Sequence, residues 1–516
     1  VSDILTQFLN GSPYAHSLFS ADFRQPSARL TTAKLVSKAI DKSLLESLKT
    51  TNKNISSVTD LNIEVLGKEG SLAIVSGQQI GMLGGPLLTF YKLASLFKLS
   101  KDLSQELGVP VIPVFWMQTE DHDLEEIASA NFLGPKEELL SFRLSGPTEK
   151  NLQSVGKITL KSAFSEELET FLSNVDIASK DLLKQSYKSG ISLSQSFQNF
   201  WQKICADWGI VFFDPLSPLS KKLKSDIIRK CIFNHQEISD LLQANAQSLR
   251  ANGFEPQVNI KADSPLLFLE LDSERKRLIY KADTFFHGDK AFSKKELETI
   301  ILQEPERFTC SALIRPIFQD SLFPTLAYVC GPSEFNYWAQ IKPLYSYFNL
   351  EQPLLIPRSN FRIIEAKYQR LLEKSGFELK DLESERSQLL AKRFGELGAD
   401  SIFSFRTEWE NRLNLLKTTL SNIDNNLVEP LEQTKKSILH GLSRLSARYE
   451  NSLASKEANS LQQLERVSKV LSPQSKPQDR VIAAANFILK YGKEFSDKIL
   501  ENCDPLNKFG TIDIKL

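Results

Sequence analysis

An excess of charge of either sign is missing from this sequence of 516 residues: Lys plus Arg number 63, and Asp plus Glu also number 63. Without a net field, nothing global draws the chain to polyanions or to an acidic membrane surface, so neither nucleic acid nor membrane is an expected partner. Long apolar runs are missing too. No segment approaches the ~18 uninterrupted apolar residues of a membrane span. The N-terminal VSDILTQFLNGSPYAHSLF has an early acid where a secretory leader would have a basic and then an apolar stretch. Cysteine is scarce: Cys205, Cys231, Cys310, Cys330 and Cys503 are odd in number, far apart and free of C-x-x-C spacing. That leaves a disulfide framework and a structural metal site unsupported, and it suits reduced thiols in a cytoplasmic protein.

What is present is a set of short apolar runs without polar alternation: LAIVS at 72–76, VIPVFWM at 111–117, IVFF at 210–213, TLAYVC at 325–330 and LLIP at 354–357. Runs of this kind, each leading into polar or Gly/Pro residues and then a helical pattern, predict buried parallel strands in a doubly wound α/β sheet. No GxGxxG or P-loop follows the first strand, so neither dinucleotide binding nor a Walker-type ATPase is indicated. Pro86 is suited to the first position of a long crossover helix that ends at Gly108.

Between the second and fourth strands, 165–189 and 221–252 read as helices. LLFLEL and RLIYKAD flank a charged turn and read as an antiparallel hairpin. From about 371 the chain is charged and helical. Trp409, Leu413, Leu416, Leu420, Ile423 and Leu427, then Ile438, Leu442, Leu445, Tyr449 and Leu453, follow a heptad rhythm interrupted by Asp424, Asn425, Asn426 and Pro430. That predicts a coiled-coil arm folded as a hairpin. One more helix is expected over 479–491. The expected organisation is thus 1–150 and 311–370 as two parts of one core, 151–310 as helical and hairpin insertions that include one core strand, 371–475 as the arm and 476–516 as a C-terminal helix and tail.

Ligands of open α/β sheets bind beyond the carboxyl ends of the strands. After the first strand come Gly77, Gln78, Gln79, Gly81, Gly84, Gly85 and Pro86, either a loop that lets an anion approach a helix N-terminus or a tight structural turn. After the second come Glu120, Asp121, His122 and Asp123, then Glu125 and Glu126. Three acids around one histidine can serve as a general base or hold a cation, while Asp123 and Glu126 fit a helix cap. After the fourth strand, Gly331, Ser333 and Glu334 lead to Tyr337, Trp338 and Lys342. Arg315 precedes that strand and Arg358 follows the fifth; each can either meet a carboxylate or pair with a core acid.

Together SGQQIGMLGGPL at 76–87, VPVIPVFWMQTEDHDLEEI at 109–127, LIRPIFQDSLFPTLAYVCGPSEFNYW at 313–338, PLLIPR at 353–358, PQDR at 477–480 and KYG at 490–492 resemble the bacillithiol biosynthesis cysteine-adding enzyme family, BshC. Gly84, Thr119 and Ser333 depart from the residues common there. The resemblance implies a Rossmann-like core, a coiled-coil arm that makes a homodimer, and a ligase that condenses L-cysteine with the amine of glucosaminyl malate. Amide formation needs an activated carboxylate and a neutral amine. ATP is therefore expected by analogy, although the HIGH and KMSKS signatures of tRNA-charging enzymes are absent. On this reading Glu120, Asp121 and His122 are catalytic, with Asp121 or His122 relieving the amine of its proton. Gly77, Gln78, Gln79, Gly85, Pro86, Arg315, Gly331, Glu334, Tyr337, Trp338, Lys342 and Arg358 then bind substrate, and no metal is expected. Two alternatives stand beside it: a synthetase-like enzyme acting on another carboxylate, and a coiled-coil scaffold with a degenerate core.

Overall fold

The computed structural model describes residues 3–53, 55–145, 153–219, 221–383, 399–456 and 458–516. The boundary expected at 150, residues 384–398 of the expected arm, and the side chain of Leu453 lie outside what is described. The chain divides into two compact units, Val1–Arg362 with Asp479–Ile514, and Ile363–Gln478 with Lys515–Leu516.

The core of the first unit is a parallel sheet of β1 (Leu72–Gln79), β2 (Val111–Gln118), β5 (Val211–Phe213), β11 (Thr325–Cys330) and β12 (Leu354–Pro357), in the order β12-β11-β1-β2-β5. All five expected strands are present. β1 and β2 run further than expected, because Gln78 and Gln79 pair with Met117 and Gln118, and a parallel neighbour satisfies the backbone of polar and apolar residues alike. The chain moves from β1 outward through β2 to β5, then returns to the other side of β1 for β11 and β12. The topological switch point therefore lies between the carboxyl ends of β1 and β11.

The first crossover helix is Leu87–Leu107, closed by Gly108 in the left-handed region. Pro86 stands one place earlier than expected, as the extended N-cap (φ −68°, ψ 160°). The expected hairpin is β6 (Leu267–Leu271) and β7 (Glu274–Lys281), turned by Asp272 and Ser273, both at positive φ. It belongs to a five-stranded antiparallel sheet that adds β8 (Thr284–His287), β9 (Lys290–Phe292) and β10 (Phe308–Cys310). A smaller hairpin, β3 (Ser129–Leu133) and β4 (Leu139–Arg143), follows β2. The expected helices over 165–189 and 221–252 are each broken in two, as Phe164–Ser173 with Asp181–Ser186, and Lys221–Phe233 with His235–Ala251.

The single helix expected over 479–491 is interrupted. Gln478–Val481 and Ala484–Tyr491 are separated by Ile482 and Ala483, which turn their backbone to the loop after β1: Leu87 N–H donates to the Ile482 carbonyl and Ala484 N–H to the Gly85 carbonyl. In the second unit, helices Ala399–Ile423 and Val428–Lys456 form the expected hairpin about Asp424. Lys417 pairs with Glu432 (2.7 Å), and Lys435 donates to Asn414 (2.7 Å). Leu413 and Leu431 are buried in its seam, whereas Leu415, Leu416, Ile423, Leu427 and Leu445 are exposed. Helix Ala458–Leu471 buries Leu464, Val467 and Val470 and packs on helix Ala366–Ser375, which buries Tyr368 and Leu372.

Candidate active site

Two charged clusters are built at the carboxyl rim of the core sheet. The first occupies the switch point. Lys92, two turns into the crossover helix after β1, is only 2 % exposed. Its ammonium donates to the Gly77 carbonyl (2.6 Å) and to Gln78 Oε1 (3.1 Å), and pairs with Glu334 Oε2 (2.6 Å). Glu334, in the first turn of helix Pro332–Tyr347, also accepts from Gly331 N–H (2.8 Å) and from the Tyr328 hydroxyl (2.8 Å). Arg315 continues the chain of contacts, donating to Tyr328 Oη (3.3 Å), Tyr337 Oη (3.0 Å) and Gln319 Oε1 (2.8 Å). Burial pushes the Lys92 ammonium below its ordinary pKa against the pull of Glu334. Burial raises that of Glu334, but the Lys92 charge and the N–H and O–H donors around it outweigh this and hold it low. The network is therefore an ion pair whose hydrogen bonds tie the carboxyl end of β1 to the start of the helix after β11.

The second cluster follows β2. Gln79 donates to Asp121 Oδ2 (2.9 Å) and to Glu126 Oε2 (2.7 Å), and Asp121 Oδ1 accepts from the His122 N–H (2.7 Å). Arg275 of β7 reaches in from the antiparallel sheet and places Nη1 2.7 Å from His122 Nδ1. About a third of each side chain, 31 % of Asp121 and 36 % of His122, remains open to solvent. Burial raises the Asp121 pKa, yet the hydrogen bonds from His122 and Gln79 and the Arg275 charge overcome it and leave Asp121 far below the usual carboxylate range. So strongly ionised a carboxylate is a poor proton acceptor and a good partner for a cation. Glu120 is different: it is buried, and burial pushes its pKa up against the charges of Lys224 and Arg275. Asp123 caps the four-residue helix Leu124–Ile127 by accepting from Glu126 N–H, as its sequence position suggested.

Several residues singled out in the sequence are engaged inside the protein. The loop from Gly81 to Pro86 is a packed turn and not an open anion cradle. A Cβ on Gly81 would stand 2.7 Å from Gly85 Cα, and one on Gly84, at φ +91°, 2.5 Å from the Phe200 ring. Gly84 is also held by Tyr187 and Trp201, and the helix N-terminus beyond it gives its Leu87 N–H to Ile482. A nucleotide phosphate does not fit there. Trp338 is wholly buried against Tyr328 and Tyr345. Lys342 holds the Ser17 and Phe19 carbonyls of the N-terminal segment. Arg358 meets a core acid, Asp479, at 2.5 Å with both side chains nearly buried. Arg315 faces tyrosines and glutamine, with its guanidinium 5.3 Å from the Tyr328 ring centre. Lys342, Arg358 and Arg315 therefore have partners within the protein, and Trp338 is packed among rings.

Sequence reasoning missed Lys92 and Arg275. A lysine inside the apolar stretch LLTFYKLASLF was a legible signal for the first. Nothing local separates Arg275 from Arg277 in SERKR, because only the packing of the antiparallel sheet decides which arginine reaches the loop after β2.

The family description "Bacillithiol biosynthesis BshC, N-terminal Rossmann-like domain" matches residues 1–359, and "Bacillithiol biosynthesis BshC, C-terminal coiled-coil domain" matches 361–513. Among similar proteins, one from Koribacter versatilis is 30 % identical over 450 residues, covering 85 % of this chain and 83 % of its own. Another from Bacillus cytotoxicus is 26 % identical over 499 residues, covering 94 % and 92 %. Both carry the name "Putative cysteine ligase BshC". The two family descriptions follow one another along the sequence and meet at residue 360, close to the end of the first stretch of the first structural unit at Arg362. This chain accordingly belongs to the bacillithiol biosynthesis BshC family.

Proposed function

We propose that this chain is a cysteine ligase of bacillithiol biosynthesis that joins the carboxyl group of L-cysteine to the amine of glucosaminyl malate. The observation that carries the reading is the match of both BshC descriptions over almost the whole chain, together with relatives named for cysteine ligation. The half-exposed cluster after β2 suits such a substrate. An amine is largely protonated near neutral pH, and the ionised Asp121, with Glu126 beside it, attracts the ammonium and brings the nitrogen to the rim. Ionised so strongly, Asp121 binds and orients; removal of the proton falls to another group or to solvent.

The cysteine carboxylate requires activation before an amine displaces its oxygen, and ATP is proposed as the activating reagent. The packed turn at Gly81–Pro86 does not serve as its phosphate site, so no step is assigned to it there. The exposed apolar side chains of the helical hairpin, Leu415, Leu416, Ile423 and Leu445 among them, support a homodimer made through that hairpin. All five cysteines are free, in keeping with the cytoplasm as the place of action.

Purified protein would be incubated with L-cysteine and glucosaminyl malate, with and without ATP, and the mixture examined by mass spectrometry. The expected result is an amide product of cysteine and glucosaminyl malate that depends on enzyme and on nucleotide. Product from glucosamine lacking malate at an equal rate would overturn the malate assignment. Absence of any cysteinyl amide from folded protein would overturn the ligase. Sedimentation of a Leu416→Asp, Leu420→Asp variant tests the dimer; wild-type mass would reassign the seam to the hairpin alone.

A further inference from the structure

Arg275 is a charged residue of the antiparallel sheet that is nearly out of water, 4 % exposed, and its guanidinium is held on several sides. Nε donates to Thr309 Oγ1 at 2.7 Å, Nη2 lies 3.5 Å from the Cys310 carbonyl, and the whole group sits 3.8 Å above the Phe268 ring centre. Thr309 and Cys310 belong to β10 and Phe268 to β6, so three strands of one sheet hold this side chain in place. The remaining nitrogen, Nη1, is aimed at His122 Nδ1 across 153 residues of sequence. The imidazole itself rests against the same phenylalanine, ring centres 5.7 Å apart.

A guanidinium has only N–H groups to offer, so at 2.7 Å the nitrogen that meets it must present a lone pair. Asp121 pulls the other way: its carboxylate lies 3.5 Å from the same Nδ1, and against burial, which raises the Asp121 pKa, a proton shared there from the imidazole is the largest influence that would hold it low. Distance decides between them. The arginine contact is of hydrogen-bond length, whereas 3.5 Å is beyond a good one, and the Asp121 oxygens are already taken by Gln79 and the His122 N–H. Burial lowers the Arg275 pKa, and the charges of Glu120 and Asp121 oppose it and favour the charged guanidinium. On the far side of the imidazole, Nε2 has no hydrogen-bond partner among the described residues, and 36 % of the side chain faces solvent.

We infer that Arg275 is a positioning residue that holds His122 as a neutral imidazole protonated on Nε2, so that His122 offers bound substrate an N–H donor and not a proton acceptor. This deepens the proposed function and rests on its placing of the substrate beside the loop after β2. The group that such a donor fits is an oxygen gaining negative charge as the amine attacks an acyl carbon. The histidine that looked like a base in the sequence thus becomes a stabiliser of the developing oxyanion.

The test uses the full chain labelled with ¹⁵N in its histidine rings. There are five histidines, and a His122→Asn variant identifies the one of interest. At pH 7 the expected pattern for His122 is a protonated Nε2 and an unprotonated Nδ1 in a hydrogen bond. Arg275→Met should produce a mixture of the two neutral forms and lower kcat by ~10² with KM nearly unchanged, the loss typical of one oxyanion donor. Arg275→Lys, which keeps a cationic donor, should restore part of both. A wild-type spectrum with the proton on Nδ1, or on both nitrogens, overturns the inference. So does an Arg275→Met enzyme with unchanged tautomer and kcat. Where Arg275→Met does not fold, the wild-type and Arg275→Lys spectra still decide. Protonated Nε2 in a protein that makes no cysteinyl amide would overturn the ligase and leave the imidazole assignment standing. Ligase activity with protonated Nδ1 would do the reverse.

Discussion

The two charged clusters at the rim of the core sheet use the same kinds of residue under opposite conditions. Lys92 and Glu334 are taken nearly out of water and satisfy each other, Gly77, Gln78, Gly331 and Tyr328. Asp121 and His122 are anchored from one side by Gln79 and Arg275 and keep about a third of their surface for something outside. Complete internal pairing fixes architecture, since a buried charge that lost its partner would be costly. Partial pairing fixes orientation while leaving an edge free to bind, which is why the second cluster is the better place for chemistry.

The sharpest way to break this contrast is Lys92→Met, which leaves Glu334 buried without its cation. A loss of about 3 to 5 kcal/mol in urea unfolding is expected. The double variant Lys92→Met, Glu334→Gln should recover at least half of it. A single-variant loss under about 1 kcal/mol would show that the switch point does not depend on the pair.

Arg358→Ala, which orphans Asp479, should cost about 3 kcal/mol by the same reasoning. It should also leave KM for glucosaminyl malate unchanged in the folded protein, because the guanidinium is occupied. A large rise in KM with little loss of stability would restore Arg358 as a carboxylate ligand.

Acid should act through Glu334. Its folded pKa is depressed, so its contribution to stability is fully present above the unfolded carboxylate value of 4.5 and is lost as pH falls through the lower folded value. The double variant lacks that contribution. Below pH 4.5 the stability difference between wild type and double variant should therefore shrink, as measured by denaturant titration at a series of pH values. A difference that widened there would reverse the sign assigned to this group.

The smallest effect on stability is expected from the exposed cluster. Asp121→Asn should shift unfolding by less than about 1 kcal/mol, as is usual for half-solvated charges. It should still lower kcat/KM by roughly ten- to a hundredfold, the worth of a charged hydrogen bond to substrate. Comparable losses in stability and activity would erase the distinction between the clusters.

The sequence by itself determined the five core strands, because apolar runs such as TLAYVC can be buried on both faces only in a parallel sheet covered by helices. It also determined the hairpin of β6 and β7, though the turn proved to be only Asp272 and Ser273 and not the whole charged stretch, and the hairpin in the helical arm. The loop after β2 stood out in the sequence because acids around a histidine at a strand end can cap a helix, as Asp123 does, or serve as a candidate site. Only the tertiary structure decided the rest. It filled the glycine-rich turn with Phe200, Tyr187 and Trp201, gave Arg358 to Asp479, and delivered Arg275 to His122 from another sheet. A pattern in sequence records which residues are apolar or charged. Whether a charge ends paired, buried or free depends on which distant side chain arrives within about 3 Å of it, and that distance is set by packing.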